Sequence, residues 1–511
     1  MFAAGFHAFR ASAGARARHY SSAALGALAA ASTPGRVATG AAASLLIYTA
    51  TSGSDGATAS RRVAVASRHL ALVLLEWKLH EARVAWRALE EEAADADASA
   101  THTRIAEHLR DMALAQGGIY IKGAQHICAQ PIIPREYVAV LRVLMSHAQR
   151  HPLADDELTF KEDTGVALGD AFAAFEPTPV ASASLAQVYR ATTHAGQAVA
   201  VKIQQRPVAR FLEVDLWCIE TYYNLLSKLI PGLRLQWLAD ETRRHMSEEL
   251  DFRAEASNAN FAANMLRDEF PESQLTIPAV VPALCGPRVL TMDWLEGVRI
   301  DDAAGLARLS VDVAAVGTRL QRIFASMVFV HGFVHCDPHP GNILVTPSGQ
   351  LGLIDHGIYR RLSDELRGGY ARLWLAVLSG NKEDIKQRTE ELGMDGEQWR
   401  FVALMLALAP GSASSESGRP GGSLLDGDGG ASAVSAMSNE QKAAAARRVA
   451  KLQGGAAAHS ALFESIPRDL LLVLKTNNLL RCGTRLAPRT LHRVRSDAFR
   501  RRSSFLLCQL R

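Results

Sequence analysis

The sequence predicts an α+β chain of two lobes: a small antiparallel sheet lobe, then a mainly helical lobe, with a helical extension ahead of both. Three observations carry this. Period-two alternation is concentrated between Ala171 and Ile203, with shorter strand-like runs beginning near Arg288 and Ile343. Apolar residues at helical spacing fill most of the remainder. Between them lies a loop punctuated by Pro and Gly, Phe333-Val334-His335-Cys336-Asp337-Pro338-His339-Pro340-Gly341-Asn342. A short strand, a Pro-Ser-Gly turn and Leu353-Ile354-Asp355-His356-Gly357 follow it.

The 511 residues leave room for more than one domain, and the net charge of +4 is too small to argue for a nucleic-acid partner. Six cysteines are scattered without a C-x-x-C pair, so neither a zinc site nor a disulfide framework is implied. Residues 1–60 read as an organelle transit peptide and linker. No acid occurs before Asp55, and Arg10, Arg16, Arg18 and Arg36 lie among Ala and Ser. Arg18-His19-Tyr20-Ser21-Ser22 suits a mitochondrial processing site; a chloroplast address is the alternative. Val37–Ala50 is apolar but shorter than the roughly 20 residues of a membrane span.

Residues 61–150 read as a helical extension. One helix is expected over 62–100, a second over 103–129, and a third from Arg135 after Pro131 and Pro134. The sheet lobe with inserted helices occupies 151–297. Its strands are expected over 171–177, 187–191 and 198–203, and its helices over 213–230 and, in one piece, 240–266. The helical lobe takes 298–410, with an apolar helix over 311–330 leading directly into the Asp337 loop. Residues 411–455 are too rich in Gly, Ser and Ala to order themselves and read as a disordered insertion. Residues 456–511 hold a last helix and an Arg-rich tail. That tail serves solubility or contact with an anionic lipid surface.

The chemistry lies in the order of the motifs. Asp337 and Asn342, then Asp355, are what phosphoryl transfer asks for: an acid to orient the nucleophile, and an amide and a second acid to hold the metal bridging the phosphates. Upstream, Ala181-Ser182-Ala183-Ser184 lets backbone amides approach phosphates, and Lys202 on the third strand would pair with their oxygens. A helix must then supply a Glu to hold Lys202. Glu255 is the candidate among Glu248, Glu249, Asp251 and Glu255. Arg288–Gly297 reads as a strand running into an inter-lobe connector, with Met292 and Trp294 placed to meet an adenine. The implied cofactors are ATP or ADP with Mg²⁺, in a two-lobed protein-kinase-like fold.

These residues together resemble the UbiB-like, aarF-domain-containing atypical kinases over about Leu109 to Leu480, less the insertion, and most closely the mitochondrial kinase-1 branch. The resemblance implies roles for Lys122-Gly123-Ala124-Gln125 (as the Lys-x-Gly-Gln segment) and for Glu249, Asp251 and Glu255. It implies that the extension covers the groove where a protein kinase takes peptide. It also implies ATPase behaviour, and a link to coenzyme Q and mitochondrial lipid homeostasis. Quinone-like or anionic lipids and peripheral membrane association follow as expected partners. Two departures stand out: Ala124 occupies a position the family gives to Gly, and His356 replaces the Phe common in kinases, putting a titratable group beside the metal site. The Ala-rich loop carries Cβ atoms that stiffen it, which is expected to favour ADP.

An ATPase or small-molecule kinase is thus the leading expectation. A pseudokinase using nucleotide as a conformational ligand and a protein kinase acting in trans are the alternatives. A helical structural protein is disfavoured by the ordered constellation.

Overall fold

The computed structural model describes residues 54–87, 91–129, 133–145, 151–229, 236–394 and 466–483, with Trp399 and Val402. The expected transit peptide up to residue 53, the insertion at 411–455 and the tail beyond 483 lie outside them. The chain separates into two units, Met1–Val65 and Ala66–Arg511. The first is described only over Ser54–Val65, the opening turns of helix α1.

Helix α1 spans Ser54–Arg87, α2 Glu91–Gln116 and α3 Gly118–Ala129. The single helix expected over 103–129 is interrupted. Gly117 and Gly118 take φ of 68° and 49°, a left-handed pair that only glycine adopts cheaply. A Cβ on Gly118 would stand 3.2 Å from Val208, so the break also admits a close neighbour. Helix α4 (Arg135–Leu141) and a 3₁₀ turn (Arg142–Met145) complete the extension. Ile121, Ala124, Leu141, Leu144, Val208 and Leu216 share its buried cluster.

The sheet lobe begins with α5 (Leu153–Thr164) and α6 (Leu168–Ala171). Strands β1 (Phe172–Phe175), β2 (Ala181–Ser182), β3 (Ala186–Thr193) and β4 (Ala198–Gln204) follow. The ladder runs β1-β3-β4-β6, with β2 on β3 and β6 spanning Val289–Asp293. Alternation along β4 sends Val199, Val201 and Ile203 into a cluster with Phe160, Phe172 and Tyr189. Ala200 and Lys202 therefore face the other way. Ala200 meets Ala186, Phe252, Leu290 and Met292 there.

Between β4 and β6 lie α7 (Arg206–Leu229), α8 (Gln236–Glu249), α9 (Phe252–Leu266) and the short strand β5 (Leu275–Thr276). The one helix expected over 240–266 is two. Asp251 caps α9 by accepting the Arg253 N–H at 3.1 Å, and Phe252 N–H leaves the helical ladder for the Pro287 carbonyl at 2.8 Å.

Strand β7 (Val298–Arg299) and α10 (Ala303–Leu309) lead to α11 (Val313–Ser326), which continues as a π-helical turn through His331. One side of this rod packs Val316, Leu320, Ile323 and Phe324 against β9 (Ile343–Val345) and β10 (Leu351–Leu353). Another side packs Val328 and Phe329 against Tyr370, Leu373 and Trp374 of α12 (Asp364–Ser379). Val313–His331 is apolar and long enough to cross a membrane, but burial on several sides makes it a core helix. Strand β8 (Phe333–His335) then pairs with β11 (Tyr359–Arg361), and α13 (Lys382–Glu391) and α14 (Arg468–Gly483) close the lobe.

The connector between the lobes is held at both ends. Trp294 N–H reaches the Ala198 carbonyl at 3.0 Å, while Val298 and Arg299 pair with β9. Gly297 is obligatory between them, because a Cβ would stand 2.8 Å from the Val345 carbonyl oxygen.

Candidate active site

Lys202 points from the cleft face of β4 into two carboxylates. Its Nζ lies 2.8 and 2.9 Å from the Glu255 oxygens and 3.1 Å from Asp355 Oδ2. Glu255 comes from the first turn of α9, and Asp355 from the loop after β10. Burial alone would discharge Lys202, but Asp355 and Glu255 outweigh it and hold the ammonium charged well above its ordinary range. Asp355 is likewise opposed by burial yet kept ionised by Lys202, then by Lys122 and by the Gly357 N–H on Oδ1 at 3.1 Å. Glu255 sits above the usual carboxylate range, first because it is buried and despite the pull of Lys202.

A second ammonium enters from the extension. Lys122 of α3 lies 2.9 Å from Glu249 Oε2 and 3.7 Å from Asp337 Oδ2. Burial opposes its charge, and Glu249, Asp337 and Asp355 restore and strengthen it. Glu249 is the last residue of α8, so the break that Asp251 caps also sets where Glu249 is presented. Asp251 itself stays on the surface with Arg253. Gln125 does not reach the acids; its amide donates to the Leu144 carbonyl at 3.0 Å, tying α3 to the 3₁₀ turn. The methyl of Ala124, where the family has Gly, is taken up in the buried cluster around Ile121, Leu144 and Leu185.

The Asp337 loop is braced by its own backbone. Asn342 donates its amide to the Asp337 carbonyl at 3.1 Å, and His339 N–H donates to the same oxygen at 2.8 Å. An amide side chain has one oxygen, and with Nδ2 committed, Asn342 keeps that oxygen for a cation; its backbone carbonyl accepts the Ile354 N–H at 3.1 Å, one residue before Asp355. This all-oxygen donor set fits Mg²⁺, which takes one or two protein oxygens and completes its shell with water and phosphate. Among the described residues no three-fold His, Cys, Asp or Glu cluster of the kind a protein-only metal cage needs occurs.

Ala181 and Ser182 pair with Val188 and Gln187, and Ala183 N–H closes the turn on the Ala186 carbonyl at 2.8 Å, with Ser184 buried between them. Met292 stands on the same sheet face as Lys202. Trp294 is placed differently from expectation. Its N–H belongs to Ala198, and its ring lies under the Arg190 guanidinium, 4.9 Å from the centroid. Extended backbone turns successive residues to opposite sides. On the other side of the connector the Asp293 N–H is taken by the Ala279 carbonyl at 2.9 Å.

His356 is also corrected. Its Nδ1 lies 2.9 Å from the Tyr359 hydroxyl and its Nε2 3.1 Å from the Leu353 carbonyl, and burial pushes its pKa down to about 4. It is neutral at physiological pH and acts as a buried ring stacked near His335 and Tyr359. Two partners were missed in the sequence. Tyr359 is one; Asn258, which donates to the His356 carbonyl at 3.0 Å, is the other. The available signal was spacing, since Asn258 lies one helical turn beyond Glu255 and so on the same face of α9.

A lysine on strand β4 of a small sheet, a helix glutamate, a looped Asp/Asn pair and a following Asp define a protein-kinase-like site in a two-lobed α+β fold. The chain belongs to the AarF domain-containing, ABC1 atypical kinase-like family: residues 143–389 match the ABC1 atypical kinase-like domain. AarF domain-containing protein kinase 1 of Gallus gallus is 34% identical over 394 residues, 75% of this chain and 71% of that protein. AarF domain-containing kinase 1 of Drosophila melanogaster is 33% identical over 404 residues, 78% and 74% of the two chains. The structure of Rv3197 with erythromycin from Mycobacterium tuberculosis aligns over 76% of this chain and 95% of its own, at 21% identity and a TM-score of 0.42.

The buried His356 makes the fold acid-sensitive. Its folded pKa lies below the unfolded value near 6.5, so its contribution is intact above about pH 6.5 and is lost as pH falls toward 4. Between pH 7 and pH 5 that loss is about 2 kcal/mol. Denaturant unfolding at the two pH values should show it in the parent, and His356→Phe should remove that share of the slope even if the variant is less stable at pH 7.

Proposed function

We propose that the chain is an ATP-binding, Mg²⁺-dependent enzyme of the atypical kinase type, a slow ATPase or a small-molecule or lipid kinase. The observation that carries this reading is the placement of Lys202 between Glu255 and Asp355, with Asp337 and Asn342 across the cleft. In this reading Lys202 and the amides of the Ala181–Ser184 loop hold phosphate oxygens, and Asn342 and Asp355 hold the metal. Mg²⁺, when bound, neutralises charge between the phosphates. Asp337 orients the attacking hydroxyl or water as a general base.

Two features favour a small acceptor over a peptide. Lys122, from the extension, stands 3.7 Å from Asp337 and so takes up space beside the acid that an acceptor hydroxyl would have to reach. The segment after Gly357 is also too short for a peptide platform: β11 folds back on β8 by Arg361, and Ser363 already caps α12 through the Leu366 N–H at 3.1 Å. The same Lys122 contact favours a second reading, in which nucleotide is held as a conformational ligand and is not turned over.

The family resemblance extends the proposal to a role in mitochondrial lipid or coenzyme Q homeostasis, with anionic phospholipid or quinone-like lipid as partner at a membrane surface. The acid-free, Arg-containing stretch before Asp55 supports a mitochondrial address.

Phosphate release by the full chain with Mg²⁺·ATP, with and without anionic liposomes, tests the catalytic reading. Asp337→Ala should lower the rate by about 10²-fold or more, in line with loss of a general base. A variant as fast as the parent would place hydrolysis elsewhere, and no release from either would favour the conformational-ligand reading. Residues 1–60 fused to a fluorescent reporter should reach mitochondria; cytosolic or plastid fluorescence would reject the address.

A further inference from the structure

Strand β4 ends at Gln204, and Gln205 follows it in the junction to α7; the chemistry above uses neither. Gln204 is 1% exposed and Gln205 3% exposed, an unusual burial for two adjacent amides, and each is committed. Gln204 donates Nε2 to the Leu250 carbonyl at 3.0 Å, in the break between α8 and α9. Gln205 donates Nε2 to the Ala183 carbonyl at 3.1 Å, and its main-chain N–H goes to the Leu185 carbonyl at 3.0 Å. One residue, three places beyond Lys202, thus collects two carbonyls of the Ala-rich loop.

That grip has a directional consequence. Across a trans peptide the N–H points opposite to the carbonyl. With the Ala183 carbonyl turned onto Gln205, the Ser184 N–H is turned to the opposite side of the loop. Loop amides oriented in this way are the groups that meet phosphate oxygens. A separate observation shows that the loop is seated. Leu185, at its tip, is buried in the cluster that includes Ile121 and Ala124 of α3 and Val208 of α7.

We propose that Gln205 is a positioning residue for nucleotide phosphates: it sets the orientation of the Ala183–Ala186 loop relative to Lys202. The inference rests on the nucleotide-binding reading of this cleft and adds to it a residue that touches neither nucleotide nor metal. Gln204, equally buried one residue earlier, pairs through its backbone with Ala186 but commits its side-chain amide to the Leu250 turn instead.

The test is calorimetric binding of adenosine and of ADP with Mg²⁺ to the full chain. Adenosine probes the connector, and the ratio of its affinity to that of ADP isolates the phosphates. Gln205→Met keeps the length and burial but removes the donor. It should weaken ADP about tenfold, the scale of one buried hydrogen bond with its carbonyl left unpaired, while adenosine stays within about twofold. Gln204→Met should leave the ratio within about twofold. Gln205→Asn keeps the amide but is a methylene too short to reach Ala183, and should repeat the ratio change if the Met variant does not fold. Equal weakening of both ligands by Gln205→Met, or no change in either, would overturn the proposal. A parent that binds neither ligand would remove the nucleotide reading, and this inference with it.

Discussion

Two half-buried ammonium groups hold this molecule's working parts together. Lys202 gathers Glu255 and Asp355, while Lys122 gathers Glu249 and Asp337. Six charges drawn from the extension, the sheet lobe, its inserted helices and the helical lobe converge in one cleft. Burying such charges costs several kcal/mol per ion, which only pairing and hydrogen bonds can offset. Removing one partner would leave another charge stranded, so the four segments are bound to one another through the site. Four carboxylates against two ammoniums also leave an excess of negative charge. A divalent cation held by Asn342 and Asp355 would relieve it.

The remaining architecture sets the reach of those charges. Alternation along β4 puts Lys202 on the cleft face because Val199, Val201 and Ile203 take the other. The glycine pair at 117–118 turns α3 so that Lys122 enters the cleft. The cap at Asp251 ends α8 where Glu249 meets Lys122 and starts α9 where Glu255 meets Lys202. Arg360 of β11 adds a further tie, 2.8 Å from Glu248, next to Glu249 at the same helix end. The helix-end dyad Glu248-Glu249 therefore links the segment after the Asp-His-Gly triplet to the extension.

Much of this was legible in the sequence because it depends on order and spacing. Strand alternation located Lys202, and a Pro- and Gly-punctuated loop located Asp337 and Asn342 ahead of Asp355. The two-lobed fold and the family followed from the same residues. What was not legible depends on contacts made at a distance or on local competition. Residues 240–266 keep helical periodicity straight through Asp251, so the competing N-cap was invisible to a pattern argument. Trp294 looked like a pocket residue because connectors are, but the sheet edge claims its N–H and Arg190 its ring. His356 reads as titratable by type, and only its burial against Tyr359 and Leu353 removes its charge. Gln205 sits in a strand-to-helix junction with no spacing signal at all.

The account stands or falls on whether this cleft holds nucleotide through the Asp355 carboxylate. The most direct measurement is the shift in melting temperature of the full chain on adding Mg²⁺·ADP, made in parallel on Asp355→Asn. The account predicts a clear rise for the parent and none for the variant, whose amide can neither match the charge on Lys202 nor hold the metal as a carboxylate does. An equal rise in both proteins would contradict it.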